Sequence, residues 1–190
     1  MLFRSEENGL EVTILSGDRD TFQLATDKVT IKIPRTKAGK TETELFNKNA
    51  IKETYGIEPK QLIEVKGLQG DSSDNIPGVP GIGEKTALAL IQKYNSIENL
   101  YNGLEQGTIE LKPKQQEKLK ENKDLAFLSK KLGEINVEVP INISLEELKL
   151  EEWDKESVLK IFKELNFKRY IERFGLSEFD TRRPEVNLLN

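Results

Sequence analysis

The feature that most restricts this chain is the segment 75–87, which reads Asn-Ile-Pro-Gly-Val-Pro-Gly-Ile-Gly-Glu-Lys-Thr-Ala and packs three glycines and two prolines into residues 77–83. Neither a helix nor a strand continues through such a run. On both sides the spacing is helical. Leu62, Val65 and Leu68 mark one face before it, and Ala87, Leu88 and Ile91 mark another after it. The segment is therefore a tight hairpin between two helices, with Gly81 and Gly83 permitting the turn and Val79 and Ile82 pinning it inward. It matches a helix-hairpin-helix element. Such a turn aims N–H groups outward at the start of the following helix, where the dipole favours an anion. Lys85 adds a positive charge there and Thr86 a hydroxyl. A DNA phosphate is the natural anion, contacted without regard to base sequence. The plainer alternative is a structural turn that binds nothing. A P-loop is excluded, because the lysine follows the glycines too closely and no strand precedes them.

Two carboxylate pairs precede this region. Gly17-Asp18-Arg19-Asp20 follows directly on 11–16, which reads as a buried strand, and Asp71-Ser72-Ser73-Asp74 follows a helix ending at Gly70. Polar groups beyond the carboxyl end of a strand are where open α/β sheets bind ligands. An i,i+3 pair brings its carboxylates close enough to serve one Mg²⁺, and clustered carboxylates repel unless a cation neutralises them. Taken alone, the first pair also reads as a helix cap and the second as a solvated turn. Their weight comes from the hairpin beside them.

Composition narrows the chemistry. The 190 residues contain no histidine and no cysteine, which removes Ser-His-Asp triads, imidazole bases, thiol nucleophiles, thiolate zinc sites and disulfides. Carboxylates, lysines, hydroxyls and oxygen-ligated metals remain. The formal net charge of −4 hides patches: residues 112–131 hold seven lysines against Glu117, Glu121 and Asp124, residues 134–156 are acidic, and 160–183 turn basic again. No apolar run approaches a membrane span, and no signal sequence is present.

Along the chain, 11–16 and 28–34 read as strands, a two-strand remnant of a larger sheet. Residues 35–43 read as a polar loop. Helices are expected at 44–55, 59–69, 84–94, 97–104, 113–121 and 123–132, with a last one from Asp154 as N-cap through 174. Residues 1–5 fit nothing that follows and read as a non-native leader, and 177–190 reads as a polar linker.

The residues Leu15 to Asp20, Tyr55-Gly56, the block 68–87 and Phe174-Gly175-Leu176 together resemble the 5′ nuclease region of bacterial DNA polymerase I, within the flap-endonuclease family. The likeness covers about residues 10–176 and is most specific over 70–87. It implies an α/β fold: a remnant of a PIN-like, resolvase-like nuclease sheet over 6–43, followed by a mainly helical helix-hairpin-helix domain over 44–176. Asp18, Asp20, Asp71 and Asp74 fall on the family's metal-ligand positions. Gly78, Gly81, Ile82, Gly83, Lys85 and Thr86 form the candidate DNA-binding set. The resemblance further implies two Mg²⁺ or Mn²⁺ ions hydrolysing a phosphodiester in a 5′ flap or nicked duplex, K⁺ at the hairpin, a monomer joined to polymerase domains, and a bacterial cytoplasmic, nucleoid-associated setting without membrane partners. The family's earlier acidic strands, basic residues and arch have no counterpart here. The chain is accordingly expected to be the later part of the nuclease and inactive in isolation. Two other readings stay open: a non-catalytic helix-hairpin-helix DNA-binding module, and a helical protein-interaction domain.

Overall fold

In the computed structural model, residues 2–179 are described, apart from Ala38. Most of the expected linker, 180–190, and Met1 of the expected leader lie outside the described residues. The chain divides into two compact units, Met1–Ile141 and Asn142–Asn190.

The first unit opens with helix α1 (Leu2–Glu7) and a three-stranded sheet in the order β1 (Val12–Leu15), β2 (Val29–Lys37), β3 (Lys40–Phe46). β1 and β2 run parallel, with Ile14 opposite Ile31, and β2 and β3 run antiparallel, with Ile31 opposite Phe46. A 3₁₀ turn, Arg19–Leu24, crosses between the first two strands and drops Phe22 onto Val29, Ile31, Ile33 and Ile51.

The third strand corrects the sequence reading, which placed a loop over 35–43 and started a helix at 44. Strand β2 runs on past Pro34, the chain turns at Gly39, and β3 returns along it to Phe46. The hairpin is held by polar cross-strand pairs in place of an apolar face: Thr36 and Thr41 hydroxyls 3.2 Å apart, and Arg35 3.1 Å from Glu44. The helix begins only at α2 (Lys48–Tyr55), where Asn47 accepts a hydrogen bond from the Ala50 amide at 2.9 Å.

The remainder of the unit is helical: α3 (Gln61–Gln69), α4 (Glu84–Tyr94), α5 (Ile97–Gln106), α6 (Pro113–Glu121) and α7 (Lys123–Gly133). Val65, Leu68, Val79, Ile82, Leu90, Ile91, Leu100 and Leu119 are among the residues of one continuous core. Tyr101 lies in it, its hydroxyl donating to the Leu119 carbonyl at 2.9 Å. The expected helices at 84–94, 113–121 and 123–132 form within a residue of where the sequence reading placed them.

The second unit carries α8 (Lys155–Glu164) and α9 (Lys168–Arg173). Asp154 caps α8 by accepting from the Glu156 and Ser157 amides. The single helix expected through residue 174 is instead broken at Asn166, whose φ of +55° is left-handed and interrupts the ladder. Phe162 gathers Phe167, Tyr170 and Phe174 around it, and Trp153 meets Phe174 edge-on at 5.2 Å. Among the described residues no helix is long and apolar enough to cross a membrane.

Candidate metal centre and nucleic-acid interface

The turn after α3 is built by a short two-way bridge. The Asp71 amide donates to the Ile76 carbonyl at 2.9 Å, and the Ile76 amide returns to the Asp71 carbonyl at 2.8 Å. The intervening four residues must then reverse direction, which Asn75 does with φ +58°. This geometry throws the Asp71 and Asp74 side chains back over the end of α3. Asp20 arrives from the other side, on the 3₁₀ turn that follows β1. Its placement is secured by Gln23, buried and bonded at both ends of its amide: Nε2 donates to the Gly133 carbonyl at 3.1 Å, and Oε1 accepts from the Ile135 amide at 2.9 Å.

Carboxylate oxygens of Asp20, Asp71 and Asp74 thus lie within 4.8 Å of one another, from segments about fifty residues apart in sequence. At their centre stands an ammonium. Lys66 of α3, only 6% exposed, has its Nζ 3.0 Å from Asp71, 3.0 Å from Asp74, and in close hydrogen-bonded contact with Asp20. Burial by itself would depress the lysine, but the bonds to Asp20, Asp71 and Asp74 outweigh it and hold the ammonium above the usual lysine range. Asp71 is held down at about 2, first by the Ser73 hydroxyl and then by Lys66. Three carboxylates against one ammonium leave two negative charges over, all on hard oxygen donors. The donor set therefore fits a divalent cation such as Mg²⁺ or Mn²⁺, with the ammonium as its stand-in.

Asp18 is placed differently. Its Oδ1 accepts from the Asp20 amide at 2.9 Å, so it caps the 3₁₀ turn, and it is not among the three converging carboxylates. Its contribution is to fix the backbone that carries Asp20. Two other residues of the site were not singled out from sequence: Lys66 itself, and Gln69, whose Oε1 is buried without a hydrogen-bond partner on the wall of the cleft that Asp20, Lys66 and Asp71 also line. A lysine inside the otherwise apolar run Val65-Lys66-Gly67-Leu68 was the available signal.

The hairpin adjoins this cluster directly. Gly78 has φ +61°, and a methyl group there would collide with the backbone of Gln69 and Gly70, so only glycine closes the turn against α3. Its amide donates to the fully buried Ser129 hydroxyl at 2.9 Å. Val79 and Ile82 are buried, as the apolar pins require. Gly81, Gly83 and Lys85 are exposed and Thr86 is half-buried, at the open start of α4, where no side chain caps Gly83. Gly78 and Ile82 thus shape the turn from within, and the outward face belongs to Gly81, Gly83, Lys85 and Thr86. Lys118 of α6 joins that face, its ammonium lying against Gly81.

The chain is thus an α/β protein in which three carboxylates converge beside a glycine-rich hairpin packed against the same helix, α3. The family described as 5′-3′ exonuclease, C-terminal SAM fold, matches residues 57–156, more than half of the chain, and the chain belongs to this 5′-3′ exonuclease family. It is 45% identical over 173 residues to the DNA polymerase I of Caldicellulosiruptor bescii, covering 91% of this chain and 20% of that protein. It is 40% identical over 166 residues to a 5′-3′ exonuclease of Buchnera aphidicola, covering 85% of this chain and 55% of that protein. The chain therefore spans about a fifth of the polymerase relative and about half of the exonuclease. Among solved structures, a complex of the bacteriophage T5 flap endonuclease with DNA and metal ions superposes with a TM-score of 0.54 at 24% identity, over 69% of this chain and 46% of that one. That likeness bears out the α/β fold class.

Proposed function

We propose that this chain forms part of a metal-dependent 5′-3′ exonuclease or flap endonuclease attached to a DNA polymerase, hydrolysing DNA phosphodiesters during replication and repair. The observation that carries it is the convergence of Asp20, Asp71 and Asp74, from two separate segments, on one cation position beside the hairpin. Asp20, Asp71 and Asp74 would hold Mg²⁺ or Mn²⁺, with Asp18 shaping the turn and completing the acidic set. When bound, such ions supply Lewis acidity and an activated water to phosphodiester hydrolysis. The protein's own groups do the rest. Lys85 and Thr86, with the open first turn of α4, grip the duplex backbone without reading bases. Gly81 and Gly83 let that backbone approach, and hairpin carbonyls are the place for K⁺. Lys118 adds a second ammonium to the same grip. The substrate is a 5′ flap or nicked duplex, and the working protein is a monomer in the bacterial cytoplasm.

A non-catalytic DNA-binding module draws on one specific observation: Lys66 already neutralises part of the acidic cluster, as a purely structural ion pair would. Mn²⁺ binding to the metal-stripped protein, followed by electron paramagnetic resonance, separates the readings. The nuclease reading expects uptake that Asp71→Ala abolishes, together with loss of flap cleavage and retained DNA binding in the full-length protein. Uptake indifferent to Asp71→Ala sinks the metal assignment. For the hairpin, Lys85→Ala is expected to weaken binding alike on all sequences and to reduce the slope of log K against log salt by about 0.9. An unchanged salt slope removes Lys85 from the phosphate contact.

A further inference from the structure

We propose that Lys66 is a built-in substitute for the divalent cation: its ammonium holds the three carboxylates in their converged arrangement when no metal is present, and withdraws toward Gln69 when one binds. This rests on the metal-centre reading above.

The ammonium occupies the point that a cation shared by Asp20, Asp71 and Asp74 would need, since it meets a carboxylate oxygen of each of the three. Both cannot sit there. Without either, three carboxylates within 4.8 Å would repel one another, and two of them stand on a turn whose residues 72–75 are exposed. A permanent internal cation solves that problem in a way a solvent ion does not, because it is covalently attached and always present.

The surroundings restrict where the side chain goes. Its aliphatic stem lies along Gly133 at the end of α7, where an added methyl group would come within 3.0 Å of the Lys66 Cδ. That wall confines the stem, so the ammonium moves by swinging within the cleft. The cleft contains a ready acceptor. Gln69 is three residues on, on the same helix face, and its Oε1 is buried without a partner. A buried amide oxygen left unpaired is costly unless some state of the molecule satisfies it. The displaced ammonium is such a state.

Lys66 is on this account a positioning residue with two opposed effects. It keeps the site assembled, and it competes with the metal for the same oxygens, which weakens metal affinity and favours exchange. The test is Mn²⁺ affinity of the metal-stripped full chain, with Lys66→Met, Lys66→Arg and Gln69→Leu. Lys66→Met, which keeps the stem's volume and removes its charge, should bind Mn²⁺ on the order of ten-fold more tightly than the native protein. Lys66→Arg should bind no more tightly, and Gln69→Leu should bind more weakly because the displaced ammonium loses its acceptor. Equal or weaker binding by a folded Lys66→Met overturns the proposal while leaving the metal centre intact. Absence of Mn²⁺ uptake by native and variant proteins alike removes the metal centre itself, and the proposal with it.

Should Lys66→Met fail to fold, the native protein still decides. The Lys66 ammonium signal, identified in nitrogen-15 spectra as the one missing from Lys66→Arg, should shift along with the Asp71 carboxyl carbon as Mg²⁺ is added. A carboxyl that responds to Mg²⁺ while the ammonium stays where it was refutes displacement.

Discussion

Two lysines in the contact between α3 and α7 face carboxylates, and they differ in what those carboxylates are anchored to. Lys130 of α7 meets Glu64 from α3 at 2.6 Å and Glu98 from α5 at 2.7 Å. Both partners ride on helices whose inner faces lie in the core. Glu64 is further occupied by the Ile97 amide at the start of α5, which donates to its Oε2 at 3.0 Å. Burial opposes the charge on Lys130, and the bonds to Glu64 and Glu98 outweigh it. Lys66 meets three carboxylates, none of them on an α-helix. The first network is closed: two acids, one lysine and a helix N-terminus. The second carries two surplus negative charges on turns that lie outside the α-helices. A lysine–carboxylate cluster is thus structural or cation-seeking according to the charge left over and whether its acids stand on helices or on turns.

The strongest test of that distinction removes one acid from each cluster. If Asp20 is a metal ligand, as proposed, Asp20→Asn in the full-length protein should lower Mn²⁺ affinity and flap cleavage by on the order of 100-fold, since losing a ligand costs at least what losing a supporting partner does. Glu98→Gln should leave both within about two-fold, as expected for a half-exposed partner in a structural pair. If Glu98→Gln proves as damaging as Asp20→Asn, the two clusters are not different in kind.

Next in size is Lys130→Met, which strands Glu64, only 13% exposed at its side chain, without its counter-charge. A loss of about 2–3 kcal/mol is expected in urea unfolding, below the full penalty for a deeply buried pair because Glu98 retains water. Saturating Mn²⁺ should not restore it, because two helix-bound glutamates present no third carboxylate. Recovery with Mn²⁺ would show that the Lys130 cluster also takes a metal.

The same contrast explains what was legible in the sequence. Ser96, Asp154 and the spacing of Leu100, Tyr101 and Leu104 announce their helices, because caps and the apolar stripe are local. The hairpin is legible for the same reason, its glycines and prolines acting on adjacent bonds. Strand β3 was not, since Lys40–Phe46 is exposed through its first four residues and shows no apolar alternation to read. Each aspartate pair was visible as a short motif, but Asp18 and Asp20 look alike in sequence, and only the turn shows one capping the other. Lys66 stood out only as a lysine in an apolar run, and its convergence with Asp20, 46 residues away, left no local mark.

The finest test is acid titration, where the two clusters respond through different donors. Asp71 and Glu98 are both held below the ordinary carboxylate range. For Glu98 burial pushes the other way and Lys130 prevails. For Asp71 the leading cause is the Ser73 hydroxyl, 2.5 Å from its Oδ1, with Lys66 second. A depressed carboxylate contributes stability that is complete above its unfolded value, near 4, and is lost as pH falls through the folded one. In metal-free protein the Asp71 contribution therefore disappears between about pH 4 and the folded value of about 2. Ser73→Ala should raise the Asp71 midpoint, narrowing that window from below, and leave the Glu98 midpoint where it was. Carboxyl carbon-13 shifts followed against pH read both at once. An Asp71 midpoint unmoved by Ser73→Ala would mean that Lys66 alone sets it, tying the acidic cluster to its internal cation more tightly than the hydrogen bonds around Asp71 imply.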